Sequence, residues 1–354
     1  MLALLADHLA QAERDLPRAV FDYYAAGSGT ETTLNEAQSA WESYRLRPRV
    51  LHDVSVVDVS CRLLGFEVAS PILVAPMAFH GLAHPDGECA TVAGAGRAGS
   101  LAVVSTRASR RLEDIGAVAT GPWWFQAYVM RDRGLTEALC GRAAAAGARA
   151  IVLTVDTPYV GRKNKVSGVR ISVPDDEYLV NLAEHLLPGT AGRQEAEQDP
   201  SVGPDVIGRL AEVSGLPVLV KGVLRGDEAV RCLDAGAAGV IVSNHGGRQL
   251  DRAVPSALAL PDVVAAVGGR APVLVDGGIR SGLDVLVALT LGASAVLVGR
   301  PVLWALAAAG AEGVAAALAD LTDDLRHALA LVGAAAPGQL DPSMAVRWAP
   351  VHQP

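Results

Sequence analysis

The sequence predicts an α/β fold, a closed (β/α)₈ TIM barrel with an N-terminal helical extension and a long lid loop after its fourth strand. The prediction rests on three features of the chain. Eight short β-branched runs recur from residue 71 onward, each apolar throughout, and each leading through a polar or Gly-containing turn into a stretch with helical spacing. Continuous apolar character marks strands buried on both faces, as in a parallel sheet covered by helices. The stretches between them are long enough for the crossovers that parallel strands require. A doubly wound open sheet is the competing arrangement, and eight strands in regular alternation favour closure.

In chain order, the opening MLALLADHLAQAERDL places Asp7 and His8 inside its apolar run and lacks a basic start. It reads as an amphipathic helix, not a signal peptide. Residues 1–70 form the extension, helical and then irregular, with a short strand-like pair around VVDVSCRLLGFEVA. They are expected to pack on the barrel and close its bottom, so that 1–354 forms a single domain. The barrel spans 71–335, with strands at PILVAP, LAVVST, WWFQAY, AIVLTVD, PVLVKG, GVIVSN, PVLVDGG and AVLVGR. Ala-rich segments such as GLTEALCGRAAAAGA and GDEAVRCLDAGA supply the helices. Between TVDTP and the helix near Asp205 lies a long connection without sustained periodicity. Loops of that length are active-site covers or disordered, so a mobile lid is expected over 175–204.

Composition narrows the function classes. Hydrophobic residues make up 51% and charged residues 19% of the 354, the pattern of a soluble globular protein. The net charge of −8 and the absence of any long Lys/Arg block speak against nucleic acid as a partner. The long connection has no extended apolar or basic amphipathic stretch, so no membrane attachment is expected. The four cysteines, Cys61, Cys89, Cys140 and Cys232, are far apart, which suits free thiols in a reducing cytoplasm. His80 and His84 have the spacing of metal ligands on a helix, but no third ligand accompanies them and no metal is expected.

The chemistry should sit where the strands end. VDGGIRSGLD and VGRP follow the last two strands, placing Asp276, Gly278, Arg280, Gly299 and Arg300 where backbone N–H groups and guanidinium groups can hold a phosphate. Two tight turns without a ligand are the plainer alternative. Lys221 ends the fifth strand and must direct its ammonium to something polar, either a carboxylate or a cofactor that becomes anionic on reduction. Asp156 ends the fourth strand, and His245 follows the sixth beside Arg248. A histidine oriented by a carboxylate, next to an arginine, suits a substrate whose carboxylate is clamped while a neighbouring proton is removed.

SNHGGRQLD, with DYYAAGSGTETTL, RLRPRVL, APMA, FQAYV, TVDTP, LVKG and DGGIR…GRP, resembles the FMN-dependent α-hydroxy acid oxidases and dehydrogenases, in order from about residue 17 to 340. The resemblance implies FMN as cofactor and oxidation of an (S)-2-hydroxy acid to the 2-keto acid, with dioxygen (giving hydrogen peroxide) or another acceptor reoxidising the flavin. It implies that His245 takes the substrate's proton, that Asp156 stabilises the imidazolium, and that Arg248 pairs with the substrate carboxylate. Tyr128 and Tyr23 orient the substrate, Tyr23 being favoured over Tyr24. Lys221 faces the flavin. Pro76, Met77 and Ala78, with Ser105, Gln126, Thr154 and Ser243, contact the ring or ribityl chain. Asp276 binds the ribityl group, while Gly278, Arg280, Gly299 and Arg300 cradle the phosphate. A homotetramer or octamer is implied in the same way.

The sequence departs from the family at two places. Lys163 stands where a second carboxylate-binding arginine is usual, and a lysine supplies the charge without a bidentate fork. Arg107 stands near a tryptophan position, which suggests a different substrate side chain, larger or anionic. Two competitors remain at this point: an FMN-dependent isomerase acting without net redox, and a flavin-binding barrel with a divergent substrate.

Overall fold

Helices α1 (Ala3–Asp15), α2 (Arg18–Ala25) and α3 (Thr32–Glu42) open the chain, followed by strand β1 (Tyr44–Leu46) and the hairpin β2 (Cys61–Leu63) and β3 (Phe66–Val68). The structure is a computed structural model and describes residues 1–164, 173, 180–182 and 196–348. Eight parallel strands come next: β4 (Ile72–Val74), β5 (Ala102–Ser105), β6 (Trp123–Ala127), β7 (Ile151–Thr154), β8 (Val218–Val223), β9 (Gly239–Val242), β10 (Val273–Asp276) and β11 (Ala295–Val298). Pairing of Val296 with Ile72 and of Val298 with Val74 joins β11 to β4, and the barrel closes. Each of the eight apolar runs is a strand, and closure excludes the open sheet.

The uniform apolarity of the runs has a direct structural cause. Leu73, Val103, Trp124, Val152, Leu219 and Ile241 fill the barrel interior, while their neighbours Ile72, Val104, Phe125, Ile151, Val218 and Val240 pack outward under the helices. Leu63 and Val68 of the hairpin join the interior cluster, so β2 and β3 plug the amino-terminal end, as expected of the extension.

The surrounding helices are α4 (Gly87–Arg97), α5 (Leu112–Val118), α6 (Arg133–Ala145), α7 (Asp205–Ser214), α8 (Gly226–Asp234), α9 (Ser256–Val267), α10 (Gly282–Thr290) and α11 (Arg300–Val332). The backbone of α11 breaks at Ala309 and Gly310, the latter at φ 57°, ψ −140°, a conformation open to glycine. Among the described residues one stretch, Arg300–Gln339, is long and apolar enough to cross a membrane, with mean hydropathy 1.7 in its most apolar window. That apolarity is used inside the fold, since α11 packs on α1, α4 and α10. Strand β12 (Ala345–Arg347) pairs with β1, a contact too short to register as alternation in the sequence.

Most of the lid expected over 175–204 lies outside the described residues, namely 175–179 and 183–195. Its return arm is described. Gln198 bridges Met130, Arg131 N–H donates to Glu197 O at 2.8 Å, and Asp199 N–H donates to Val129 O at 2.9 Å.

Candidate active site

The carboxyl ends of the strands surround a cavity of about 310 Å³. Of the residues singled out in the sequence, Tyr23, Pro76, Met77, Ala78, Ser105, Arg107, Gln126, Tyr128, Thr154, Lys163, Lys221, His245, Arg248, Asp276, Gly278, Arg280, Gly299 and Arg300 line it. Asp156 and Ser243 are absent from the wall. They stand one layer behind it, each holding a residue that does line it.

His245 Nδ1 lies 2.9 Å from Asp156 Oδ1. Burial pushes the Asp156 carboxyl up, but His245 and Lys221 outweigh it and hold the group below its ordinary value. An ionised carboxylate only accepts hydrogen bonds, so Nδ1 carries the proton between them and Nε2 is the ring nitrogen left for a substrate. The loop is wound tightly to achieve this: His245, Gly246 and Gly247 all have positive φ, at 59°, 61° and 75°. For His245 that conformation costs about 1–2 kcal/mol. It is braced by its N–H to Ser243 Oγ (3.0 Å) and by Asn244 Oδ1, which accepts from Gly247 N–H (3.2 Å). A side chain at Gly247 would meet Leu34 N at 2.7 Å, so the glycine lets α3 approach. Gly222, at φ 109° in the bulge of β8, likewise leaves room for Asp156, whose Cβ would be 2.7 Å from an added one.

Lys221 is buried, with Nζ 2.9 Å from Asp276 Oδ2 and 2.8 Å from Ser243 Oγ. Burial works against its charge, yet Asp276 and Asp156 prevail and raise it above the ordinary lysine value. The lysine is therefore a fixed cation in the cavity wall. Gln126 is oriented with equal definition. Its Oε1 accepts from Ser105 Oγ and Thr106 N–H, both at 3.2 Å, which leaves Nε2 buried without a partner among the described residues. Thr154 Oγ1 and Asp276 Oδ1 are in the same condition. Buried polar atoms are normally satisfied, so three in one cavity wall mark where a polar ligand docks.

Positive charge is concentrated in the same cavity. Arg248 Nη1 donates to the carbonyls of Tyr23 (2.9 Å), Tyr24 (3.0 Å) and Ala26 (2.8 Å), and its guanidinium lies 5.2 Å from the Tyr23 ring centre. Arg300 donates from Nε to Tyr24 O (3.0 Å) and from Nη2 to Gly246 O (2.8 Å). The extension thus crosses to the carboxyl end as well as plugging the other, because these arginines satisfy the terminal carbonyls of α2. Burial, with Arg248 and Arg280 nearby, pulls Arg300 well below its ordinary value. Burial, Arg248 and Arg300 bring Lys163 down to about 8. Cations that depress one another in a buried cavity are an anion-binding arrangement. The unpartnered polar atoms, together with Gly278, Gly299 and the arginines, fit FMN, with its polar ring and phosphate tail.

Tyr24 is buried and its hydroxyl donates to Phe79 O, a structural engagement, whereas its neighbour Tyr23 is half-buried at the cavity beneath Arg248. Burial, Asp156 and Tyr23 push the Tyr128 hydroxyl up, so it stays protonated and can donate. Arg107 faces the cavity, and its Nη2 donates to Ala196 O in the return arm. His80 Nδ1 is 2.8 Å from Thr91 Oγ1, and His84 Nδ1 accepts from Asp86 N–H at 3.2 Å.

Some residues of the site escaped the sequence reading. Thr106 Oγ1 donates to Gln126 O (2.7 Å) and accepts from Tyr128 N–H (3.1 Å), setting both neighbours. Thr157 and Gln249 also line the cavity, and both fall inside quoted motifs, TVDTP and SNHGGRQLD. Gln198 lines it from a stretch with no periodicity, and no sequence signal marks it.

A family model described as FMN-dependent dehydrogenase matches residues 12–347. The chain is 44% identical to an L-lactate oxidase of Nostoc sp. over 345 residues, covering 94% of each protein. It is 42% identical to glycolate oxidase 3 of Arabidopsis thaliana over 330 residues, covering 91% of this chain and 90% of that one. Among solved structures, a mandelate oxidase superposes with a TM-score of 0.88 at 43% identity, covering 96% of both chains.

Proposed function

We propose that this chain, which belongs to the FMN-dependent dehydrogenase family and oxidises 2-hydroxy acids with FMN as its cofactor, takes (S)-2-hydroxy acids to 2-keto acids and passes the electrons to dioxygen. The observation that carries the reading is the His245–Asp156 pair, 2.9 Å apart, in the cavity that also holds Arg248 and Lys163.

Bound FMN supplies the acceptor for the two electrons released at the hydroxyl-bearing carbon. Arg248 and Lys163 hold the substrate carboxylate, and Tyr23 and Tyr128 donate hydrogen bonds that orient it. His245 accepts a substrate proton at Nε2, and Asp156, ionised and bonded to Nδ1, stabilises the imidazolium that results. Lys221 provides the fixed positive charge beside the ring, with Ser243 and Asp276 setting its position. Ser105, Gln126, Thr154 and the backbone of Pro76, Met77 and Ala78 hold the ring. Asp276 takes the ribityl chain, and Gly278, Arg280, Gly299 and Arg300 take the phosphate. Arg107 borders the side-chain end of the substrate.

The isomerase alternative, which would take a phosphorylated substrate and need no His/Arg carboxylate clamp, is not favoured, and the relatives are named as lactate and glycolate oxidases. The small Ala78 side chain in the cavity wall, and relatives named as oxidases, support dioxygen as acceptor. Purified enzyme turning over lactate or mandelate in air should release one hydrogen peroxide per keto acid. Keto acid formed with a dye or quinone but without peroxide would assign a dehydrogenase instead. The free thiols Cys61, Cys89, Cys140 and Cys232 support a cytoplasmic location. A homotetramer or octamer follows from the family resemblance, and light scattering reads it directly.

A further inference from the structure

A second cavity, of about 410 Å³, lies between strands β7 and β8 and helices α7 and α8, outside the barrel wall. It adjoins the first. Tyr128, Thr154, Thr157 and Gln198 line both and stand between them. Among the described residues most of its lining side chains are apolar, with Val155, Pro158, Val202, Ile207, Val223 and Leu224 prominent, and Arg225, Glu228, Arg231 and Asp199 complete the wall. The charged residues on it are paired with one another or with neighbours: Arg231 with Glu228 at 3.0 Å, Arg225 with Asp227 at 2.5 Å, Asp199 with Arg133 at 2.9 Å. Among the described residues no uncompensated charge in it calls for an ion, unlike the cation-rich cavity next door. An apolar space of this size is typical of small-molecule sites.

We propose that this chamber receives the side chain of the substrate, making extended, apolar 2-hydroxy acids the preferred class, with Gln198 and Thr157 at the doorway. The inference rests on the function proposed above. The carboxylate and reacting carbon stay with Arg248, Lys163 and His245, while methylenes beyond the reacting carbon pass the partition and lose contact with water. Gln198 belongs to a return arm attached to residues 129–131 by only a few backbone bonds, and Arg107 seats that arm through Ala196 O. Arg107 is on this view a positioning residue for the doorway.

The test is the FMN-loaded enzyme with straight-chain acids from 2-hydroxypropanoate to 2-hydroxyoctanoate, read as kcat/KM. Each methylene that enters an apolar site should raise kcat/KM several-fold. Ile207→Trp, which fills the chamber, should lower the octanoate-to-propanoate ratio of kcat/KM at least tenfold. Val202→Phe serves as a second filling variant should the first fail to fold. A flat or falling series in the wild type, or a rising one that the filling variants leave intact, overturns the chamber while leaving the function standing. Failure of every acid in the series to reduce the flavin overturns the function, and this proposal with it.

Discussion

Lys163 illustrates how much one side chain can change a site. A lysine delivers charge to the carboxylate, but its ammonium titrates where an arginine's guanidinium does not. Burial and the neighbouring Arg248 and Arg300 bring it to about 8 in the free protein. Below that pH it is cationic and attracts the substrate, and above it the attraction fades. The KM for a 2-hydroxy acid should therefore rise as pH climbs through about 8, and Lys163→Arg should remove that rise while leaving the lower-pH KM within a few-fold. A KM independent of pH from 7 to 9 in the wild type would detach Lys163 from the carboxylate. His245, Arg248 and Lys221 were legible in sequence because each charged or basic group follows an apolar run, which puts it at the mouth of a strand. Asp156 was legible as the histidine's partner for the same reason. Gln198 and Thr106 were not, since neutral side chains in irregular or strand-end positions acquire a role only from what folds against them.

At the scale of elements, the eight strands were legible because burial on both faces leaves no room for polar alternation. The β1–β12 pair was not, since three residues from each end of the chain carry no periodicity. The approach of α3 was also hidden, because it depends on what glycines lack. Gly278 has φ 81°, and an added Cβ would lie 2.1 Å from Ala37 O on α3. Gly278→Ala should therefore push α3 away, lowering stability by about 1–3 kcal/mol and weakening FMN binding at least tenfold. Thermal unfolding and FMN fluorescence titration measure the two. Unchanged values for both would mean that α3 does not bear on the phosphate cradle.

For the whole molecule, the barrel brings six lysine and arginine side chains to one cavity: Arg107, Lys163, Lys221, Arg248, Arg280 and Arg300. Lys221 is held by Asp276 at 2.9 Å, whereas burial and neighbouring cations pull Lys163 and Arg300 below their ordinary values. The cofactor-free protein should be less stable for it, and FMN should raise the Tm in proportion to the logarithm of its concentration, as for any ligand of the folded state. A Tm indifferent to FMN would remove the cofactor from this cavity. The central claim, that the imidazole held by Asp156 is the base for a 2-hydroxy acid seated against FMN, is tested most directly by anaerobic stopped-flow mixing of lactate or mandelate with the wild type and with His245→Ala. Both proteins should carry FMN; the wild-type flavin should bleach, and the variant's should do so about 10²–10⁴-fold more slowly. Bleaching of the loaded variant at the wild-type rate would contradict the account.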